Sequence, residues 1–183
     1  MRCFIGTKLE QKVVEKASRF RDELGDIEAD TKTVRDENLH LTVKFLGEID
    51  ESRIGQVDSV QKAVEDVDPF ELEIEGTGAF PSMDYIRVVW IGTGKGSERF
   101  REIISNAERT LVNEGFPENK NDPVPHATVC RVSSGRNKDA IRRTIEKWNK
   151  RSFGKMVVDR VSLFESKLTP TGPVYTKIKD YLL

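Results

Sequence analysis

Two short stretches constrain this chain more than anything else in it: NLHLTVKFLG at residues 38 to 47 and VPHATVCRV at 124 to 132. Each alternates like a half-buried strand, and each carries a histidine followed two positions on by a threonine. These are the only two histidines in 183 residues. Side chains in a strand alternate between faces, so His40, Thr42 and Lys44 are expected on one face, with Leu41, Val43 and Phe45 turned to a core. By the same rule His126, Thr128 and Cys130 share a face opposite Ala127 and Val129. Two histidines both followed by threonine at this offset would arise by chance in about one such chain in two hundred. The pair therefore points to a fold in which two strands, nearly half the chain apart, present one imidazole and one hydroxyl each to a common space.

The rest of the chain reads as alternating strands and helices. RCFIGT is a strand, and Leu9, Val13, Ala17, Phe20 and Leu24 then recur on one helical face, with Thr7 and Glu10 fitting a capping box and Gly25 a stop. TKTVR and NLHLTVKFLG follow as strands. A second helix is expected from about Asp50, carrying Ile54, Val57, Val60, Val64 and Val67, and ending at Pro69. FELEIEGTGAF and DYIRVVWIG form a hairpin around PSM. A third helix from about Ser97 carries Phe100, Ile103, Ile104, Ala107 and Leu111. GFPENKNDPVP is a polar surface loop, SSGRN a turn, and a fourth helix carries Ile141, Ile145 and Trp148. KMVVDRVSLFESKL and VYTKIKDYLL close the chain as strands. This is mixed α/β without a strict βαβ rhythm, and the similar settings of the two histidine strands make an internal duplication plausible.

Length fits one compact unit, and composition, with 37% hydrophobic and 33% charged residues, fits a globular protein. A net charge of −1 gives no global attraction to nucleic acid but leaves room for a local basic patch. Cys3 and Cys130 form neither a disulfide framework nor a paired metal motif, the opening MRCFIGTKLEQ lacks a signal-peptide core, and no run suits a membrane span. A cytoplasmic protein is expected.

Paired His and Thr suit phosphodiester chemistry. One imidazole can take a proton while the other gives one, from opposite sides of an in-line displacement at phosphorus. The hydroxyls can donate to the non-bridging oxygens as charge builds there. No metal is needed, and two histidines with two isolated cysteines offer no zinc spacing. A Cys130 nucleophile served by His126 lacks a third member, and GTGKGSE lacks P-loop spacing.

HLTV at 40 to 43 and HATV at 126 to 129 resemble the paired motifs of the two-histidine phosphoesterase superfamily. More narrowly the chain resembles the RNA 2′,3′-cyclic phosphodiesterases of the 2′-5′ RNA ligase family, over its whole length, through RCFIGT, ENLHLTVKFLGEI, GAFPSMDYIRVVWIG, VPHATVCRV and SKLTPTGPVYTKI. The resemblance implies an α/β (α+β) bilobal, pseudo-twofold fold in which two antiparallel sheets line a central cleft with helices outside, all within one domain spanning 1–183. It implies His40 as proton donor, His126 as proton acceptor, and Thr42 and Thr128 on the phosphate; the residues alone do not distinguish acid from base. It also implies an arginine near the substrate, Arg131, which alternation places on the wrong face unless the strand bulges. Phe4 is a candidate for stacking on a base, with core packing as the competing role. Lys44 is a candidate source of positive potential, with simple solvation as its alternative. Neither cofactor nor metal is implied. The implied partners are RNA ending in a 2′,3′-cyclic phosphate, tRNA halves among them, for a monomer with no membrane association. A non-catalytic RNA- or nucleotide-binding module, or a phosphodiesterase for another cyclic phosphate or a 2′-5′ oligonucleotide, stay open beside it.

Overall fold

The computed structural model describes residues 1–120 and 123–183; Asn121 and Asp122, in the expected polar loop, lie outside the described residues. Among the described residues, nine strands form two antiparallel sheets. The first has the order β3-β1-β8-β9, from β1 (Arg2–Lys8), β3 (His40–Glu48), β8 (Arg160–Thr169) and β9 (Gly172–Leu182). The second has the order β2-β6-β5-β4-β7, from β2 (Thr31–Thr33), β4 (Phe70–Pro81), β5 (Ile86–Thr93), β6 (Ala127–Val132) and β7 (Ser152–Val158). The two motif strands, β3 and β6, flank the inner strands β1 and β5 respectively. The two ends of the chain thus build the sheet around the first motif, and strands between them, with β2, build the sheet around the second.

Helices cover the sheets through the apolar stripes legible in the sequence. α1 (Gln11–Gly25) buries Val13, Ala17, Phe20 and Leu24; α4 (Ser97–Asn113) buries Phe100, Ile103, Ile104, Ala107 and Leu111; α5 (Lys138–Trp148) buries Ile141, Ile145 and Trp148. No helix among the described residues is long and apolar enough to cross a membrane.

Three local expectations are corrected. The capping box fails because β1 runs through Thr7, so the Thr7 hydroxyl donates to the Arg160 carbonyl while Glu10 accepts from the Val157 amide. The helix expected from Asp50 is broken into 3-10 turns around α2 (Ile54–Val57) and α3 (Gln61–Val64). Gly55 and a run of valines weaken helix propensity there, while Val57, Val60, Val64 and Val67 still bury their apolar face. Finally, KMVVDRVSLFESKL is two strands in different sheets: β7 joins the second and β8 the first, with Asp159 between them.

Candidate active site

Both motif strands break their period of two at the same place. Along β3, Gly6 pairs with Thr42 and Ile5 with Lys44, skipping Val43; along β6, Trp90 pairs with Thr128 and Val89 with Cys130, skipping Val129. Each motif therefore ends in a β-bulge, and the side chains that follow it change face, in β3 until a second irregularity at Leu46. The β1 backbone comes so close to this bulge that a Cβ on Gly6 would lie 2.6 Å from the Leu41 carbonyl oxygen. Glycine is required there by proximity.

The bulge redistributes the predicted residues. Arg131 turns into the cleft, as its proposed role required. Cys130 turns into the core, where burial pushes its thiol up to about 11, which removes it as a nucleophile. Lys44 also turns inward, so its expected place in the cleft is corrected: it is fully buried, donating to Glu108 Oε2 and to the Pro117 carbonyl, both at 2.7 Å. Phe45 takes its place beside the cleft and is 58% exposed. The expectation for Arg131 contained the signal for Phe45, since a bulge needed after one motif is to be looked for after its duplicate.

A cleft of about 550 Å³ lies between the sheets, lined by His40, Thr42, His126, Thr128 and Arg131 among others, within the range typical of small-molecule sites. Each imidazole is fixed in the same way. His40 Nδ1 donates to the Asn38 carbonyl and His126 Nδ1 to the Val124 carbonyl, both at 2.6 Å and both two residues upstream. A carbonyl can only accept, so Nδ1 carries the hydrogen and Nε2 is the nitrogen left for chemistry. Aromatic rings wall both histidines: Phe4 at 4.7 Å and Tyr175 at 5.2 Å from His40, Phe80 at 4.9 Å and Trp90 at 6.1 Å from His126, between ring centroids. The Trp90 indole lies so close over β4 that a Cβ on Gly78 would meet it at 2.3 Å. Phe4 is 3% exposed and packs on Phe164 and Tyr175 as well as His40, so it serves as wall rather than open platform.

This enclosure holds both histidines below the ordinary imidazole range. Desolvation is the main cause for each, and at His40 the charges of His126, Lys8 and Arg131 add to it. Neither the Thr42 nor the Thr128 hydroxyl has a hydrogen-bond partner among the described residues, although both line the cleft. Sequence reasoning missed Arg2, Lys32, Arg35, Phe80 and Tyr175 in the lining, which arrive from strands and loops without a motif of their own.

The family model described as LigT like Phosphoesterase matches residues 8–90 and, separately, 91–175. The chain belongs to this family of LigT-like phosphoesterases. The double match divides it between the two motifs, as the two bulged strands do. Among similar proteins, one from Methanothermobacter thermautotrophicus, named RNA 2′,3′-cyclic phosphodiesterase, is 36% identical, covering 100% of this chain and 99% of the relative. Another of the same name, from Methanocaldococcus jannaschii, is 33% identical, covering 99% and 100%. In fold, this LigT-like chain is similar to a solved protein of Thermus thermophilus with a TM-score of 0.83 at 24% identity, over 100% of this chain and 98% of the other. E. coli LigT complexed with 3′-AMP gives 0.79 at 20% identity, over 100% and 97%.

Proposed function

We propose that this LigT-like phosphoesterase hydrolyses 2′,3′-cyclic phosphate ends of RNA to 2′-phosphomonoesters by acid–base catalysis between two histidines, without a metal. The observation that carries the reading is the repeated backbone lock, which leaves the Nε2 atoms of His40 and His126, one from each sheet, for the same cleft. The names of the relatives at 33–36% identity over the full chain support the substrate.

In the proposed step His126 Nε2 takes a proton from water, whose oxygen attacks phosphorus. The bond from phosphorus to the 3′ oxygen breaks, and His40 Nε2 gives that oxygen its proton. Thr42 and Thr128 donate to the non-bridging oxygens and Arg131 balances their charge. Burial, with the charges of His126, Lys8 and Arg131 beside it, makes the His40 imidazolium a readier proton donor than a free one, and the bound phosphate anion favours the protonated form that this role needs. Run backwards with a 5′-hydroxyl in place of water, the same groups would join RNA ends, such as tRNA halves, through a 2′-5′ bond. We take the protein to act as a monomer, since the two motifs of one chain supply both halves of one site within a single domain.

The test is incubation of purified protein with a nucleoside 2′,3′-cyclic phosphate in excess chelator, followed by identification of the product. The expected product is the 2′-phosphate. A 3′-phosphate, no turnover, or loss of turnover on chelation would overturn the reading.

A further inference from the structure

The cleft is far more basic than the chain. Its lining includes Arg2, Lys32, Arg35 and Arg131 and, among the described residues, no Asp or Glu, on a protein of net charge −1. Two of these cations face each other. β2 adds to the outer edge of β6 with Lys32 directly opposite Arg131, so both side chains stand on the same face of the sheet. Like charges in that position repel. Neither side chain has a hydrogen bond or ion pair among the described residues, and both face the cleft. A pair left this way on adjacent strands, about 5 Å apart, is completed by an anion between or beyond them.

The order of the cations gives that anion a place. Arg131 is the inner of the two, since it lies on β6 itself, three residues past Thr128, and lines the cleft with the histidines. Lys32 lies one strand further out. Arg35, beyond it, is already engaged with the Thr171 carbonyl at 3.0 Å and with Glu37 at 3.8 Å. In the first sheet β3 is the edge, and the cleft cation there, Arg2, sits on the inner strand β1, so an outward step beyond the motif strand exists on the β6 side only.

We propose that Lys32 holds the phosphodiester one nucleotide inward from the reacting terminus, making it the residue by which the protein prefers a polynucleotide end over a free cyclic nucleotide. This rests on the reading of the cleft as a cyclic-phosphate hydrolase, with the terminal phosphate at the histidines and Arg131. The RNA then leaves the centre over β2. The opposite side is left to the terminal nucleoside.

The experiment compares kcat/KM for a nucleoside 2′,3′-cyclic phosphate and for a trinucleotide ending in the same cyclic phosphate, in the wild type, Lys32→Ala and Lys32→Arg. Loss of one charged contact should lower the trinucleotide-to-mononucleotide ratio roughly tenfold in Lys32→Ala. Lys32→Arg should restore it. The slope of log kcat/KM against log salt for the trinucleotide should shrink by about 0.7, the value for one phosphate contact on a single strand. The thermal midpoint of free Lys32→Ala should not fall, because a repulsion has been removed. A wild type that hydrolyses both substrates while the ratio stays unchanged in Lys32→Ala overturns the inference alone. A wild type that hydrolyses neither overturns the reading of the cleft and this inference together.

Discussion

The two sheets of the molecule share a backbone device and differ in what they hang on it. In both, a carbonyl two residues upstream fixes the histidine, a hydroxyl follows, and a bulge reverses the faces. Past the bulge the two part. The first buries Lys44 and exposes Phe45; the second buries Cys130 and turns Arg131 into the cleft. Beside the motif, the first has Gly6 where the second has Trp90. The two halves thus share the part that, in the proposed mechanism, acts from both sides of a phosphorus atom, and differ in their flanks. Acid and base need the same scaffold, whereas a substrate with two different ends needs different walls.

The largest expected effect tests the shared part. His40→Ala and His126→Ala should each reduce turnover of a cyclic phosphate by about 10²–10⁴, read as steady-state kcat. The roles can then be split with a phosphodiester that expels p-nitrophenolate, which needs no proton from the enzyme. The deficit of His40→Ala should largely close on that substrate and that of His126→Ala should not; equal behaviour would break the assignment of donor and acceptor.

Next comes the buried pair of residues behind the bulges. Lys44→Met leaves the Glu108 carboxylate without its buried cation and should cost about 3 kcal/mol, measured by urea denaturation. Adding Glu108→Gln should recover part of it. The equivalent Cys130→Ala should cost about 1 kcal/mol. Similar losses at the two positions would mean that the ion pair is no more than filling.

The pH dependence follows from the enclosure of both rings. Their proton affinities lie below that of free imidazole, so each loses its proton at lower pH than an exposed histidine, near 6.5. The acid limb of kcat/KM reports the base becoming neutral, and the alkaline limb reports the acid losing its proton. Both limbs therefore shift downward, and kcat/KM should peak below about pH 6.5. The kcat profile should peak higher, because bound phosphate favours the imidazolium. A kcat/KM maximum above about pH 7 would contradict the burial.

The smallest effect belongs to Phe45. At 58% exposure, Phe45→Ala should leave stability within about 0.5 kcal/mol. If the ring stacks on a base, KM should rise about fivefold, the lower end for one stacked base.

Much of this was legible in the sequence wherever structure is set by near neighbours. The strands holding His40 and His126 follow from alternation, and α1, α4 and α5 from apolar spacing. Facing of the two motifs was legible because a pattern that occurs twice implies a partner. Lys44 and Phe45 were misplaced because a bulge is a property of pairing: nothing inside HLTVKF states that β1 skips Val43. Lys32 was missed for the same reason, since its meaning arises only where β2 meets β6. The break at Asp159 was not legible, because no proline or glycine marks the point where the chain changes sheets.

The carbonyl locks have one more consequence. Where a histidine is oriented by a carboxylate, that acid must be kept for the ring to be held. Here the acceptors are main-chain atoms of Asn38 and Val124, and Val124 is an exposed side chain with no other hydrogen bond to make. Position 124 can therefore drift through many residue types without loosening His126, so long as the path of the chain is kept. The information that orients the His126 ring is stored in backbone shape, and no particular amino acid at that position carries it.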